Sequence, residues 1–378
     1  SGVNKPVIYV HDAADVIIKD LTVDGAGKGN ANNRFQGIAY RNAGGTLRNC
    51  DIKAVRNSPI DGVQAGVGLY AYADDGNARK LIVIKNNIFD FQKNATVFAG
   101  ADLTAKIDSN TITGAGAINF TAQNGIQLST GAAGSIRYNT ISNLSYTPST
   151  FVASGILLYQ SSGPDTTSNN VLTACQMGIY YFDVGGVIRE NTVSATAANT
   201  GTVTYYGINA DPGASPRVKI QPVDVQEFSG KGKVNLSNSS AFINTSIFRN
   251  TVTSDGTNGI GIEMDALGTQ TLNASVLENK VNGWNTAVVF YKDAGATLNG
   301  TVNDNDLSNN TNALNNLTGV IQNATCNWYG TIVPATISSK ISGTVNSSPY
   351  LTNGTDFNAA PGFQPVPGSC NGILAATL

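Results

Sequence analysis

A short phrase built on asparagine recurs along most of the chain and limits the folds that the sequence can adopt. The asparagine is followed by one variable residue and then by a β-branched or apolar residue. Most intervals between successive phrases are about 21 to 31 residues, a period typical of a solenoid. The phrases begin at Asn49, Asn87, Asn110, Asn139, Asn170, Asn191, Asn250, Asn279 and Asn305, with Asp20 as a first member and Asn327 as a last.

A second phrase, glycine followed by isoleucine, lies between the asparagine phrases, at Gly37, Gly125, Gly155, Gly178, Gly207 and Gly259. Each unit contains two or three short strands with alternating polarity, too short to bury a face alone. Parallel copies stacked about 4.8 Å apart bury their inward side chains against one another. The asparagines are then expected to form a hydrogen-bonded ladder and to occupy the left-handed corners. The sequence therefore predicts an all-β fold, a parallel β-helix of roughly a dozen coils.

The composition excludes several classes of function. Only 13% of the residues are charged, the formal net charge is -2 and basic residues do not cluster, so nucleic acid is not an expected partner. No apolar run approaches the roughly 20 residues that span a bilayer, so we expect no transmembrane segment. The single histidine, His11, excludes a zinc site built from several histidines.

We predict two regions. Residues 1–345 form the β-helix, with an excursion around 211–240, where the interval between phrases doubles and Pro212, Pro216 and Pro222 lie. Residues 346–378, rich in proline and glycine, form an irregular C-terminal cap. Cys326 and Cys370 flank this cap, and both a disulfide and two free thiols remain open for them.

The asparagine and Gly-Ile phrases resemble the right-handed parallel β-helix repeats of the pectate-lyase-like superfamily. The stretch Cys326-Asn-Trp-Tyr-Gly330, with Ser348-Pro-Tyr-Leu351 after it, resembles the closing segment of many bacterial surface β-helix proteins. The resemblance implies a right-handed solenoid. It does not decide the function, because the superfamily includes lyases, hydrolases, esterases, epimerases, tailspikes and adhesins. The Tyr-Gly-x-Asp-Pro-His motif of the epimerases and the Gly-His-Gly motif of the polygalacturonases are missing, and the calcium site of the pectate lyases has no clear match.

Strand alternation predicts a surface column of outward side chains that combines aromatic rings with carboxylates. Within it, Asp211 and Glu263 are expected one or two coils apart, about 5 or 10 Å, near the spacings of glycosidase carboxylates. The predicted catalytic residues are Asp211, Glu263 and Lys292. The predicted substrate-binding residues are Tyr159, Tyr180, Phe182, Asp183, Asp265, Tyr291 and Asp293. The alternative is that these are ordinary solvated residues of a polar β-surface.

The column favours a secreted or cell-surface protein that interacts with a polysaccharide, and whether it is a polysaccharide lyase, a glycoside hydrolase or no enzyme remains open. The alternative is a non-catalytic structural or adhesive module of a larger cell-surface protein. We expect a monomer or part of a longer surface protein, because neither a signal peptide nor a capping helix is evident. No cofactor is expected, although Asp74 and Asp75 leave a calcium ion open.

Overall fold

The computed structural model describes residues 4–148, 150–195, 204–213, 216–223, 242–255 and 259–373. In these residues, short strands follow one another in a repeated order around a common core. Each strand pairs in parallel with the equivalent strand one coil later in the chain, which produces three long sheets, here called A, B and C. The predicted all-β solenoid is therefore confirmed, and the 12 strands of sheet A agree with roughly a dozen coils.

Sheet A begins each coil. Its strands are β1 (Lys5–His11), β4 (Phe35–Arg41), β7 (Val67–Tyr72), β10 (Asn94–Ala99), β13 (Asn124–Ser129), β16 (Ser154–Tyr159), β19 (Met177–Phe182), β22 (Tyr205–Asp211), β25 (Gly259–Ala266), β28 (Thr286–Lys292), β30 (Asn312–Asn316) and β32 (Ile341–Ser342).

Sheet B follows it in every coil. Its strands are β2 (Val16–Lys19), β5 (Gly45–Arg48), β8 (Arg79–Ile84), β11 (Leu103–Asp108), β14 (Ala133–Arg137), β17 (Asp165–Ser168), β20 (Gly186–Arg189), β23 (Phe242–Phe248), β26 (Thr271–Leu277), β29 (Thr297–Asn303), β31 (Gln322–Asn323) and β33 (Val345–Asn346).

Sheet C closes the coil and is shorter. Its strands are β3 (Thr22–Asp24), β6 (Asp51–Lys53), β9 (Asn87–Phe89), β12 (Thr111–Ile118), β15 (Thr140–Tyr146), β18 (Val171–Cys175), β21 (Thr192–Ala195), β24 (Thr251–Ser254) and β27 (Lys280–Asn282). The remaining elements are a 3-10 turn at Gly29–Ala31, the helix α1 (Pro334–Ser339) and an antiparallel pair formed by β34 (Tyr350–Leu351) and β35 (Cys370–Gly372).

Alternating side chains explain why such short strands are stable. In β29, for example, Leu298 and Val302 are buried whereas Thr297, Asn299 and Thr301 are exposed. Because the strands are in register from coil to coil, the inward residues form one continuous apolar core along the solenoid. The outward residues form straight rows, so any functional surface must be built from such rows.

The predicted asparagine ladder lies at the corner between sheets B and C, where the asparagines are almost fully buried. Each Nδ2 donates to the Oδ1 of the next coil's asparagine at 2.9–3.0 Å, and that oxygen also accepts a backbone N–H. The members are Asn86, Asn110, Asn139, Asn170, Asn191, Asn250, Asn279, Asn305 and Asn327.

Two details of the predicted corner are wrong. The repeat phrase predicts ladder positions at Asn49 and Asn87, each one residue from the true positions, Cys50 and Asn86. The N–H of Cys50 donates to Oδ1 of Asn86 at 3.0 Å. The left-handed residue is not the ladder asparagine but the residue before it, such as Glu190 with φ 54°. The preceding residue makes the bend, and this leaves the asparagine side chain free to point into the corner.

The described part of the predicted excursion, residues 216–223, lies across the outer face of sheet A and is here called the covering segment. Backbone atoms of Lys219 and Val152 hydrogen-bond at 2.8 Å, and Val223 bonds to the side chain of Gln127 at 2.9 and 3.2 Å. Residues 214–215 and 224–240 of the excursion lie outside the described residues. Near the C-terminal end of the chain, a disulfide joins Cys326 to Cys370.

No helix in the described residues is long and apolar enough to cross a membrane.

Candidate functional site

The residues of the predicted column lie on the outer face of sheet A, in two neighbouring rows. Tyr159, Phe182 and Asp211 occupy one row of paired positions. Strand register continues that row into Asp265 and Tyr291. The structure thus brings most of the predicted residues together on one face, with Asp183 and Asp293 at the ends of their strands.

The predicted alignment of Asp211 with Glu263 is wrong. Glu263 pairs with Asn209, so that Asp265, which was expected at a corner, is the neighbour of Asp211. The ambiguity arose because the stretch Gly259-Ile-Gly-Ile262 contains the Gly-Ile phrase twice. Ile208 pairs with Ile262, the second isoleucine, which shifts the outward row by two residues.

The expectation that this column is exposed is also wrong. Tyr180 and Phe182 are fully buried, and Val218 and Ile220 of the covering segment pack in one apolar cluster with them. The side chain of Tyr159 is half-buried and stacks on Phe182, with ring centroids 5.0 Å apart. A segment of the same chain that covers an aromatic stripe on a solenoid face removes the apolar surface of that stripe from water. The exposed stripe expected from the sequence is therefore a small second core.

At the N-terminal end of the covering segment lies a cluster of buried carboxylates around Arg217. The guanidinium contacts Glu263 and lies 3.3 Å from Asp265, while the amide of Asn209 donates to Glu263 at 2.9 Å. Both carboxylates are inaccessible to solvent, whereas the Arg217 side chain is 34% exposed. The cluster anchors the covering segment to sheet A.

The third carboxyl of the cluster, Asp211, accepts a hydrogen bond from the hydroxyl of Tyr180 at 2.6 Å. Burial raises the pKa of Asp211 well above its ordinary value, and the charge of Asp265 raises it further. Burial also raises the pKa of Asp265, although Arg217 opposes that shift. A carboxyl whose pKa is raised, beside one that is paired with a cation, is an arrangement suited to general acid–base chemistry, provided that a substrate reaches it.

The outer edge of the cluster is more accessible. The Arg217 guanidinium lies over the ring of Tyr291, with its Cζ 4.5 Å from the ring centroid. The hydroxyl of Tyr291 is 3.2 Å from Oδ1 of Asp293. Lys292 is half-buried, and its ammonium group lies 3.4 Å from the backbone oxygen of Asp293. The catalytic and substrate-binding roles assigned to these residues stay predictions.

Within the described residues, no three histidine, cysteine, aspartate or glutamate side chains converge as metal ligands. Asp74 accepts a hydrogen bond from Tyr72, and Asp75 pairs with Arg79 at 2.9 Å. A calcium ion at these two aspartates stays a prediction.

A feature that the sequence analysis missed lies on the outer face of sheet B, where an open groove of about 1070 Å³ runs across several strands. The described residues that line it are mostly small and polar, and Asp183 is the only charged one among them. They are Ser161, Ser162, Gly163, Pro164, Asp183, Val184, Gly185, Gly186, Val187, Phe242, Ile243, Asn244, Thr245, Ser246, Asn273, Ala274, Ser275, Asn299 and Thr301.

Three adjacent strands supply the floor of the groove. Asn244, Asn273 and Asn299 pair with one another in register, and each amide donates to the preceding one at 2.8 Å. The three strands of the floor share a sequence pattern, in which an apolar residue is followed by asparagine, any residue and then serine or threonine. The segments are Ile243-Asn-Thr-Ser246, Leu272-Asn-Ala-Ser275 and Leu298-Asn-Gly-Thr301.

Two further side chains give the groove its character. Phe242 is 64% exposed, so part of its ring is accessible at the first strand of the floor. Asp183, at the corner after β19, is 5% exposed, and its Oδ1 has no hydrogen-bond partner among the described residues. Burial raises its pKa to about 6, against the effect of the nearby amides of Gln270 and Gln160. The groove can therefore offer donors, acceptors and one aromatic ring, with a single titratable carboxyl.

Comparison with known proteins agrees with this architecture. The family described as "Right handed beta helix region" matches residues 6–215, more than half of the chain. A crystal structure of the pectate lyase Pel9A is similar at a TM-score of 0.37 and 10% identity, covering 99% of this chain and 90% of that one. No curated protein matches the sequence. By its match to the family, and with three parallel sheets wound around one core, this chain belongs to the right-handed β-helix family.

Proposed function

We propose that the protein binds a neutral polysaccharide in the groove on sheet B. The observation that carries the proposal is the floor of this groove, where an amide row runs beside a hydroxyl row formed by Ser246, Ser275 and Thr301. Amides and hydroxyls both donate and accept hydrogen bonds, as sugar hydroxyls do. Phe242, which also lines the groove and is 64% exposed, adds aromatic surface to it.

The charge of the groove selects among polymers. A polyanion, including nucleic acid, needs lysine or arginine side chains to replace its counterions, and the described lining residues contain none. Asp183 adds a negative charge when it is ionised and therefore disfavours acidic polysaccharides. A neutral chain of sugar residues meets neither obstacle.

The proposed setting is extracellular, either secreted or at a cell surface. The disulfide between Cys326 and Cys370 supports this setting, because such bonds persist in oxidising compartments. In this setting the protein acts as a monomer or as part of a longer surface protein. A purely structural or adhesive module is the competing account, and it predicts no affinity for any soluble glycan.

Cleavage of a polysaccharide, by hydrolysis or as a lyase, is a second candidate, located at the cluster around Arg217. Its support is the pair of adjacent carboxyls, Asp211 and Asp265, whose pKa values are both raised by burial. Both carboxyls are buried beneath the covering segment, so cleavage requires that segment to move. Binding in the groove requires no such movement, and for this reason it is the first candidate.

The two candidates are separated by one set of variants tested against neutral and acidic polysaccharides. Asn273→Leu removes the central amide of the groove, and Asp211→Asn with Asp265→Asn removes the paired carboxyls of the cluster. Ser135→Ala, on the same outer face of sheet B but outside the groove, is the matched control. We expect binding of neutral chains that is lost in Asn273→Leu and retained in the control. Release of reducing ends that stops in the double variant would establish the second candidate, and no binding by the wild type would reject the first.

A further inference from the structure

The floor of the sheet B groove presents the same chemistry three times, at equal spacing along the solenoid axis. Strands β23, β26 and β29 pair through seven consecutive positions with no irregularity in register. Their outward side chains therefore stand directly behind one another, about 4.8 Å apart. Each of the three coils contributes one asparagine and, two residues later, one serine or threonine.

Hydrogen bonds between the amides fix the orientation of the row. Asn273 donates to Asn244 and Asn299 donates to Asn273, so the oxygen atoms of all three amides point in the same direction along the axis. An amide has two N–H groups and two oxygen lone pairs, and the ladder uses at most one of each. Every coil thus keeps one donor and one acceptor for a ligand, arranged before the ligand arrives.

A ligand that uses this floor fully must repeat its own donors and acceptors at the spacing of the coils. An extended polysaccharide meets this requirement, because a pyranose unit is about as long as the roughly 4.8 Å between coils and carries hydroxyls on both of its edges. A β-1,4-linked chain, whose successive units are turned by about half a revolution, therefore still presents donors and acceptors to every coil. A curled chain of the same sugar does not, because its units turn away from the surface after the first contact.

We infer that the groove binds an extended neutral polysaccharide parallel to the solenoid axis, with one sugar unit on each of the three coils. This inference rests on the proposed function and specifies its ligand. The three subsites are centred on Asn244, Asn273 and Asn299. Beyond the first of them the hydroxyl row gives way to Val187, which pairs with Ser246, and the wall of Ser161–Pro164 lines the groove. The amide row itself supplies three subsites, one on each of the three strands.

The test compares extended with curved oligosaccharides, and calorimetric titration measures their affinities. Extended β-1,4-linked oligomers of glucose, mannose, xylose and N-acetylglucosamine, from dimer to hexamer, are compared with curved α-1,4-linked glucose oligomers. We expect affinity for one extended series to rise from dimer to trimer and to level off beyond it. The curved series is expected to bind at least tenfold more weakly.

Variants locate the subsites. In Asn299→Ala, at one end, trimer affinity is expected to fall about three- to tenfold, to the level of the dimer, while dimer affinity is unchanged. In Asn273→Ala, at the centre, the affinities of dimer and trimer both fall by a similar factor. Asn87→Ala is the matched control, since this amide also bonds across a coil, to Asp51 at 3.1 Å, but lies on sheet C.

The outcomes separate this inference from the proposed function. Binding that is equally strong for extended and curved chains, or the same for dimer and trimer, yet lost in Asn273→Ala, overturns the three-unit register and retains the groove as the binding site. Binding that none of the groove variants changes, or no binding to any oligomer, overturns both.

Discussion

Removal of one ladder asparagine is expected to destabilise the solenoid far more than removal of an asparagine with similar bonds on the surface. Asn191 is fully buried, and its Nδ2 donates to Asn250 and to the carbonyl of Thr167, both at 3.0 Å. Its Oδ1 accepts the backbone N–H and the Nδ2 of Asn170, at 3.0 and 2.9 Å. Asn191→Ala breaks these four bonds. The backbone N–H of Asn170 and the carbonyl of Thr167 lose a buried partner, whereas Oδ1 of Asn250 keeps the backbone N–H of residue 191 and Nδ2 of Asn170 keeps the carbonyl of Ile136.

The magnitude follows from those groups. A buried polar group that loses its partner costs about 1–3 kcal/mol. The backbone N–H of Asn170 and the carbonyl of Thr167 are the principal losses, so we expect Asn191→Ala to lower the free energy of unfolding by about 2–6 kcal/mol. Asn273→Ala also breaks two inter-coil amide bonds, but these are exposed to water, and we expect a loss below about 1 kcal/mol.

The assay is urea unfolding followed by circular dichroism. Because a solenoid need not unfold in one step, hydrogen exchange of the amides in β18 and β21 reports the region next to Asn191 directly. The expected result is a large drop in midpoint and in local protection for Asn191→Ala alone. If Asn191→Ala and Asn273→Ala lower the free energy of unfolding equally, burial does not make the internal ladder more important for stability than the surface amides.

Three further predictions concern other parts of the molecule. Arg217→Ala leaves two buried carboxylates without their cation, so we expect the anchoring of the covering segment to weaken by about 3–5 kcal/mol. The change is detected as faster proteolysis within the segment and as increased binding of a hydrophobic dye. Unchanged proteolysis would contradict the anchoring role. Cys370→Ser removes the disulfide, which closes a loop with a sequence separation of 44 residues, and we expect the free energy of unfolding to fall by about 4 kcal/mol relative to the oxidised wild type. Thermal unfolding measures the loss, and a reductant is expected to destabilise the variant no further. Burial raises the pKa of Asp165 to about 6 and that of Asp265 above its ordinary value, so the folded protein binds more protons than the unfolded chain between about pH 4 and 6. The stability that the protonated carboxyls contribute is fully present at about pH 4 and is lost as the pH rises through 6. We therefore expect urea midpoints to fall over this window, and midpoints that rise would contradict the prediction.

The repeat was readable from the sequence because it is local. Each coil shows its own alternation of inward and outward residues, and the ladder asparagine follows within a few residues of a strand. The errors at Asn49 and Asn87 have the same cause, since Asn49 precedes the true ladder position, Cys50, and two asparagines adjoin at Asn86-Asn87. A period identifies a solenoid but does not decide between neighbouring residues that could both fill one corner.

The site was harder to predict because it depends on contacts between distant parts of the chain. The covering segment buries Tyr180 and Phe182, and nothing in its proline-rich sequence states where it folds back, although Val218 and Ile220 are apolar residues that need a partner. The pairing of Asp265 with Asp211 required the true register of β22 and β25. The floor of the groove carries a repeated sequence pattern, but the same pattern also occurs elsewhere, for example at Ile118-Asn-Phe-Thr121 and Val345-Asn-Ser-Ser348, so it does not by itself mark a groove.

The most direct test of the account is hydrogen exchange of the whole protein with and without a saturating neutral oligosaccharide. The account predicts that the ligand slows exchange in β23, β26 and β29, with little change in the covering segment. Slower exchange in the covering segment and the sheet A strands beneath it, with no effect on these three strands, would contradict it and would place the polysaccharide at the cluster around Arg217.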